Sequence, residues 1–175
     1  VIHYLCQDES RVGLKTETGK VITAKGVKPT VEVQWGRDNF WIYGAFGPLS
    51  GAHFLHEYPK LNGECFQSFL GWLSEQLGED WAFLQVDQAP AHMSTALRWP
   101  ENIIPIVQPA HSPELNPSER MWEFLKAPLK NEIFPSLQAL RDKVQEGFDQ
   151  LTHEAVMSLS SYDFILEALF YAVSH

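Results

Sequence analysis

Cysteine is scarce in this chain, and long apolar runs are missing from it. Cys6 and Cys65 are its two cysteines, and neither has a second cysteine or a histidine at metal-binding spacing. A disulfide framework and a zinc finger are therefore not indicated, and we expect a reducing, cytoplasmic setting. No apolar run approaches the roughly 20 residues that a membrane helix needs, so we expect no membrane partner.

Positive charge is also in short supply for a protein that would bind nucleic acid. The formal net charge is −9, with 13 Lys and Arg against 22 Asp and Glu, whereas phosphate binding normally uses basic side chains. The charge is unevenly spread, however. Residues 11–37 carry six basic and two acidic side chains, while residues 132–175 carry two basic and seven acidic ones. One end of the domain could therefore face DNA while the other faces solvent.

What is present is the composition of one folded domain over residues 1–175. Apolar residues make up 45% of the chain and aromatic residues 13%, which argues against disorder. Short apolar runs rich in β-formers predict strands at 1–7, 40–46, 53–58, 81–86 and 103–107, with candidate neighbours at 11–15 and 31–35. Helical spacing of apolar residues predicts helices at 64–77, 90–97, 117–131 (bent at Pro128), 136–151 and 162–173. This order indicates an α/β fold with a mixed sheet whose faces are covered by helices.

Three acidic residues occupy places where active sites are commonly built. Asp8 and Asp87 each follow an apolar strand, and Glu119 lies near the start of a predicted helix. If the first strand lies beside the strand at 81–86, Asp8 and Asp87 become neighbours, and a helix packed across them can supply the third carboxylate. Such a trio would bind two Mg²⁺ or Mn²⁺ ions, which prefer oxygen ligands and can activate a nucleophile at a phosphodiester.

Asp8 and Asp87 also have purely structural interpretations. On position alone, Asp8 could be a turn residue at a strand end, and Asp87 could cap the helix predicted at 90–97. Glu9 neighbours Asp8 but should point to the opposite face of an extended segment.

Glu119 has the strongest structural alternative. With Asn116 as N-cap and Pro117 at the first helical position, Glu119 would occupy the third position of a capping box. Glu123 lies one helical turn later on the same face and is the substitute ligand if Glu119 only caps the helix.

The sequence around these acids is distinctive. The segments DESRVGL (8–14), VDQAPAH (86–92) and PAHSPELNPSE (109–119) together resemble the catalytic domain of DDE-type DNA transposases, in the superfamily of mariner-like bacterial insertion sequences. The third segment, followed by a tryptophan, is the most specific, and the resemblance covers nearly all of the chain.

The resemblance implies a ribonuclease H-like fold with a mixed five-stranded sheet. It also implies that Asp8, Asp87 and Glu119 are the metal ligands and that His92 has a supporting role near them. Gln88 stands where the family commonly has an asparagine, so an amide is retained beside Asp87. Enzymes of this family cut DNA at transposon ends and join the freed 3′-hydroxyl to target DNA.

The resemblance further predicts that part of the full-length protein is missing here. Such transposases carry an N-terminal helix-turn-helix region that recognises transposon ends, and this chain starts at the first catalytic strand, with Val rather than Met. We therefore expect that region to be absent from this chain. Transposon-end and target DNA, and further copies in a homodimer or synaptic oligomer, are the partners that the family implies.

Arg11, Lys25, Lys28 and Trp99 are further candidates for contact with DNA. The two lysines flank Gly26 on a predicted turn, although an exposed basic turn without a specific role explains them as well. Trp99, before Pro100, is a candidate for base stacking. Two other functions stay open at this point: a related nuclease that hydrolyses DNA without strand transfer, and a catalytically idle binding module derived from a transposase.

Overall fold

The protein folds around one sheet that carries helices on both faces. The computed structural model describes residues 1–174. Its strands are β1 (Ile2–Gly13), β2 (Asn39–Phe46), β3 (His53–Tyr58), β4 (Trp81–Val86) and β5 (Ile103–Val107). Its α-helices are α1 (Gly63–Leu77), α2 (Ser118–Lys126), α3 (Leu137–Asp149), α4 (His153–Ser160) and α5 (Asp163–Ser174), with 3₁₀ turns at Pro113–Leu115 and Ala127–Leu129.

The sheet is mixed, with strand order β3-β2-β1-β4-β5. β1 runs antiparallel to β2 and parallel to β4, and β4 runs parallel to β5. The first strand therefore lies beside the strand at 81–86, which is the condition under which Asp8 and Asp87 become neighbours. Cys6 is paired with Gln85, and continuing this register by two residues brings Asp8 beside Asp87.

Two apolar cores lie on opposite faces of the sheet. On one face, Leu5 packs in a cluster with Leu70 of α1 and Leu84 of β4. On the other, Val12 packs in a cluster with Met121 of α2, which also takes in α3 and α4. Since side chains alternate along a strand, Asp8 shares the α2 face with Val12.

The chain between β1 and β2 differs from the prediction. Residues 11–13 continue β1 and do not form a separate strand, and residues 31–35 form no strand. Two separated backbone hydrogen bonds hold residues 14–38 together, from Leu14 to Asp38 and from Thr16 to Gln34. The β-formers there find no apolar surface to cover: Val33 stays 43% exposed, so strand propensity alone does not build a ladder.

Two helix predictions also need correction, and one helix was missed. Residues 90–97 form successive turns without a helix. The helix predicted at 117–131 ends at Lys126 and gives way to the 3₁₀ turn that contains Pro128, because proline cannot donate a backbone hydrogen bond. The helix α4, capped by Thr152, was not predicted. Within residues 1–174, none of the helices combines the length and the apolarity needed to traverse a bilayer.

Candidate active site

Asp8 and Asp87 come from neighbouring parallel segments of the sheet, Asp8 from β1 and Asp87 from the residue after β4. Asp87 directly follows β4, whereas β1 continues past Asp8 to Gly13. Asp8 is therefore not a turn residue at a strand end, and that structural alternative is wrong. Asp8 is a carboxylate in the middle of a central strand, so another feature of the structure must account for its position there.

Trp122 of α2 is the partner of Asp8. Its indole Nε1–H donates to Asp8 Oδ2 at 2.9 Å. Burial raises the pKa of Asp8 from 3.8 to about 6; the Trp122 hydrogen bond opposes this rise, and the neighbouring charges of Glu9 and Asp87 add to it. Sequence analysis assigned Trp122 no role in the site; its position three residues after Glu119 was the available signal that it reaches the site.

A glycine makes room for this tryptophan. Gly44 of β2 is paired with Asp8, and a Cβ atom at Gly44 would lie 2.8 Å from the Trp122 ring and 2.9 Å from the Phe46 ring. Real Cβ atoms do not approach carbon that closely. The indole therefore lies against the bare backbone of β2, next to the carboxylate that it binds.

Asp87 is held by two donors on one oxygen. The backbone N–H of Ala89 donates to Oδ1 at 2.9 Å, and His92 Nδ1–H donates to the same oxygen at 2.6 Å. The hydrogen bond from His92 is the main reason that the pKa of Asp87 lies below its usual value. Asp87 thus binds a backbone N–H two residues on, as a cap would, although no helix follows.

His92 joins Asp87 to a second acid, Glu9. The His92 side chain is 1% exposed, its ring centroid lies 4.2 Å from that of Phe66 in α1, and its Nε2–H donates to Glu9 Oε1 at 2.8 Å. Burial of the ring lowers the pKa of His92, but the hydrogen bonds to both carboxylates outweigh burial and raise that pKa from 6.5 to about 9. His92 is therefore a buried cation between two carboxylates. Sequence reasoning placed Glu9 on the opposite face from Asp8 but missed this pairing, for which adjacency to Asp8 was the only signal.

Gln88 points away from the acids. Its side-chain amide donates to the backbone carbonyl of Gln108 at 3.1 Å, and Gln108 directly follows β5. Gln88 thus ties the segment after β4 to the segment after β5.

Glu119 is exposed on the first turn of α2. α2 begins at Ser118, and Asn116 uses its side chain to donate to the Gln7 carbonyl and to accept from the Ser118 N–H. The backbone N–H of Asn116 binds Pro113, so the capping box is wrong. Among residues 1–174, Glu119 has no hydrogen-bond or ion-pair partner.

The orientation of α2 distinguishes Glu119 from Glu123. The buried face of α2 consists of Ser118, Met121, Trp122 and Leu125. At about 100° per residue, Glu119 lies roughly 110° from the middle of that face and Glu123 roughly 150°. Both glutamates lie on the side of Trp122, the residue that touches Asp8, and Glu119 is the nearer, at roughly 60° from Trp122 against roughly 100° for Glu123.

The donor set fits a divalent cation in its chemistry. Asp8 and Asp87 supply carboxylate oxygens side by side, and the charge of Asp87 helps to raise the pKa of Asp8, a repulsion that a cation would relieve. Across the described part of the chain, no three acidic, histidine or cysteine side chains already converge closely enough to hold a metal.

The candidate DNA contacts are scattered. Arg11 is exposed near the end of β1, and Lys25 and Lys28 are exposed around Gly26, whose φ is +88°. Trp99 is half-buried, with its ring centroid 6.0 Å from that of Phe66. The roles of these four residues in DNA binding stay predictions.

Comparison with known proteins gives three similarities. The family described as "DDE superfamily endonuclease" matches residues 3–141. The protein y4pE/y4sA of Sinorhizobium fredii (strain NBRC 101917 / NGR234), which is described as uncharacterized, is 34% identical over 96 residues, covering 54% of this chain and 71% of its own.

Solved structures of the Mos1 transposase have the same fold. The Mos1 paired-end complex with left transposon end matches with a TM-score of 0.69 at 18% identity. The Mos1 mariner paired-end complex with Mn matches with a TM-score of 0.67 at 18% identity. Each match covers 90% of this chain and 51% of the Mos1 chain, so the chain spans about half the length of these relatives. The likeness confirms the ribonuclease H-like fold.

Proposed function

Because this chain belongs to the DDE superfamily of endonucleases, we propose that residues 1–175 are the catalytic domain of a DNA transposase. Its reaction is metal-dependent phosphoryl transfer that cleaves DNA at transposon ends and joins the ends to target DNA. Its partners are then transposon-end and target DNA, and further copies of the protein in a dimer or synaptic assembly. The observation that supports the proposal is the parallel pairing of β1 with β4, whose last paired residues, Cys6 and Gln85, lie two positions before Asp8 and Asp87.

Asp8, Asp87 and Glu119 would hold two Mg²⁺ or Mn²⁺ ions; a Mos1 complex that contains Mn supports this choice of metal. When bound, such ions supply Lewis-acid activation of the attacking oxygen and stabilise the leaving oxygen of a phosphodiester.

The chain's own residues prepare the two aspartates for this role. Trp122 fixes Asp8 through Oδ2. His92 and Ala89 both bind Oδ1 of Asp87, and within residues 1–174 Oδ2 of Asp87 accepts no hydrogen bond. His92 is itself held by Glu9, so the orientation of Asp87 is set by a chain of contacts that begins on the opposite face of the sheet. Side chains fixed in this way keep their geometry when substrate binds.

A strand-joining assay tests the proposed function. We expect the protein, given a pre-cleaved transposon end, target DNA and Mg²⁺ or Mn²⁺, to form a joined product, and we expect Asp87→Ala to form none. Glu101→Ala is the matched control. It removes an exposed carboxylate that precedes β5 and so lies at the opposite end of the parallel strands from Asp87. Hydrolysis without joining would instead indicate a nuclease. DNA binding with neither reaction would indicate an idle binding module.

Direct metal binding tests the ligand set separately. We expect calorimetric titration with Mn²⁺ to show binding by the wild type and its loss in Asp87→Ala and Glu119→Gln, with binding kept in Glu123→Gln. At a free Mn²⁺ concentration of about 100 times Kd, the free energy of unfolding should rise by about 2.7 kcal/mol, because the ion binds the folded state alone. Loss of binding in Glu123→Gln and not in Glu119→Gln would assign the third ligand to Glu123. Equal binding by the wild type and Asp87→Ala would refute the site.

A further inference from the structure

A cavity lies beyond Asp8 along β1, at the place where β1 leaves the sheet and β2 enters it. It has a volume of about 400 Å³, and its lining consists of Arg11, Gly13, Lys15 and residues 35–39. Its basic side chains are those of Arg11, Lys15 and Arg37, and its one acidic side chain is that of Asp38. We refer to this cavity as the β1–β2 pocket.

The three basic groups of the β1–β2 pocket are not neutralised by the protein. Within the described part of the chain, Arg11, Lys15 and Arg37 have no carboxylate within ion-pair distance. Asp38 shares the lining without an ion pair to any of them, and the nearby Glu17 is bound to Lys126 at 3.3 Å. Like charges that converge without a partner favour an anionic ligand.

Trp35 gives the β1–β2 pocket an aromatic surface. Its side chain is 74% exposed, the highest value of any tryptophan in residues 1–174. The ammonium of Lys15 lies 5.2 Å from its ring centroid. At this distance the face of an aromatic ring attracts a cation electrostatically. A large ring left in water beside three cations matches the way proteins bind single strands, by stacking on bases and contacting phosphates.

The spacing along β1 relates the β1–β2 pocket to the candidate active site. Arg11 and Gly13 follow Asp8 by three and five residues in the same strand, or roughly 10 to 17 Å at about 3.3 Å per residue. A few nucleotides of one DNA strand span this distance.

We propose that the β1–β2 pocket binds an unpaired DNA strand a few nucleotides from the scissile phosphate. Arg11, Lys15 and Arg37 contact its phosphates, and Trp35 stacks on one of its bases. The inference rests on the proposed function in taking DNA as the ligand, but it concerns side chains that the metal site does not use.

Fluorescence anisotropy with a 12-nucleotide oligothymidine tests the proposal, in EDTA so that bound metal contributes nothing. We expect Trp35→Ala to weaken binding about five- to tenfold and Trp35→Phe to keep most of it. A 12-mer without bases should bind the wild type and Trp35→Ala equally. We expect Arg37→Gln to reduce the slope of log K against log salt by about 0.7, the contribution of one phosphate contact to a single strand.

Lys60→Gln is the matched control, because it removes one exposed positive charge just after β3, and it should leave the salt slope unchanged. Equal slopes for Arg37→Gln and Lys60→Gln, or binding that is indifferent to Trp35→Ala, would overturn the proposal. The result is separable from the proposed function. Binding at the pocket without strand joining would count against the transposase reaction alone, and joining that is unaffected by pocket variants, with unchanged binding, would count against the pocket alone.

Discussion

The Asp8→Asn variant is expected to lose DNA cleavage while its metal-free fold becomes more stable. Activity should fall about 1,000-fold or more, because a lost metal ligand removes several kcal/mol of transition-state stabilisation. Asparagine keeps an oxygen that can accept the Trp122 indole N–H, so this contact survives the change.

The gain in stability follows from the pKa of Asp8. Burial raises that pKa from 3.8 to about 6, so the folded state disfavours the ionised carboxylate relative to the unfolded chain. The penalty is complete above pH 6 and disappears below pH 3.8, and a shift of about two units corresponds to about 2 to 3 kcal/mol. Asparagine has no charge to bury, so the variant should be more stable by about this amount at pH 8 and should show little gain near pH 4.

Urea unfolding in EDTA at both pH values measures this effect. Asp142→Asn, which changes an exposed acid of α3, is the control and should show no comparable gain at pH 8. A variant at Asp8 that is less stable than the wild type at pH 8 would show that the ionised carboxylate stabilises the metal-free fold, contrary to our account.

The His92→Ala variant is expected to lose about 3 to 5 kcal/mol of folding free energy. His92 is the partner of Glu9, whose side chain is 7% exposed, and removing one partner of a buried ion pair leaves the other charge uncompensated. The folded-state pKa of about 9 lies above the ordinary value of 6.5. The contribution of the His92 charge is therefore complete below pH 6.5 and is lost as the pH rises through 9.

Chemical unfolding at pH 7 measures the loss at His92, with His3→Ala as the matched control. His3 also pairs with an aspartate, Asp80, at 3.2 Å, but that carboxylate is 36% exposed, so this pair should contribute far less to stability than the buried pair. A double-mutant cycle with Glu9→Gln should give a coupling of about 1 kcal/mol or more. Equal losses at His92 and His3 would show that burial of the Glu9–His92 pair has no special energetic role.

The sheet could largely be predicted because its strands are short, apolar and rich in β-formers. Residues 81–86 and 103–107 form strands as predicted. β4 buries Ala82, Leu84 and Val86, whereas β5 buries Ile103 and is held by its pairing with β4. Residues 31–35 have similar composition but no surface to cover. Residues 90–97 have helical spacing but form turns. His92 in this segment binds Glu9 of β1 and Asp87, the residue after β4. Long-range contacts of this kind leave no local pattern in a sequence.

The acids of the candidate site could be predicted from the sequence, but the residues that hold these acids in place could not. Asp8 and Asp87 follow from apolar runs that end in a carboxylate, together with the family resemblance. Trp122 and Glu9 do not, because an aromatic residue in a helix and a second acid in a strand both have commoner explanations. The capping box failed at Asn116, whose side chain reaches Gln7 in β1, a contact 109 residues away in the sequence.

Gly44 lowers the stability of β2 but makes room for a residue of the candidate site. A glycine inside a strand lowers the stability of the strand by removing a side chain that would pack, yet the space that it leaves is filled by the indole that binds Asp8. In a saturation screen for activity, position 44 should therefore tolerate as little change as the acids, although it carries no functional group. A designer who replaced this glycine to strengthen the sheet would displace the tryptophan and, with it, a carboxylate of the candidate site.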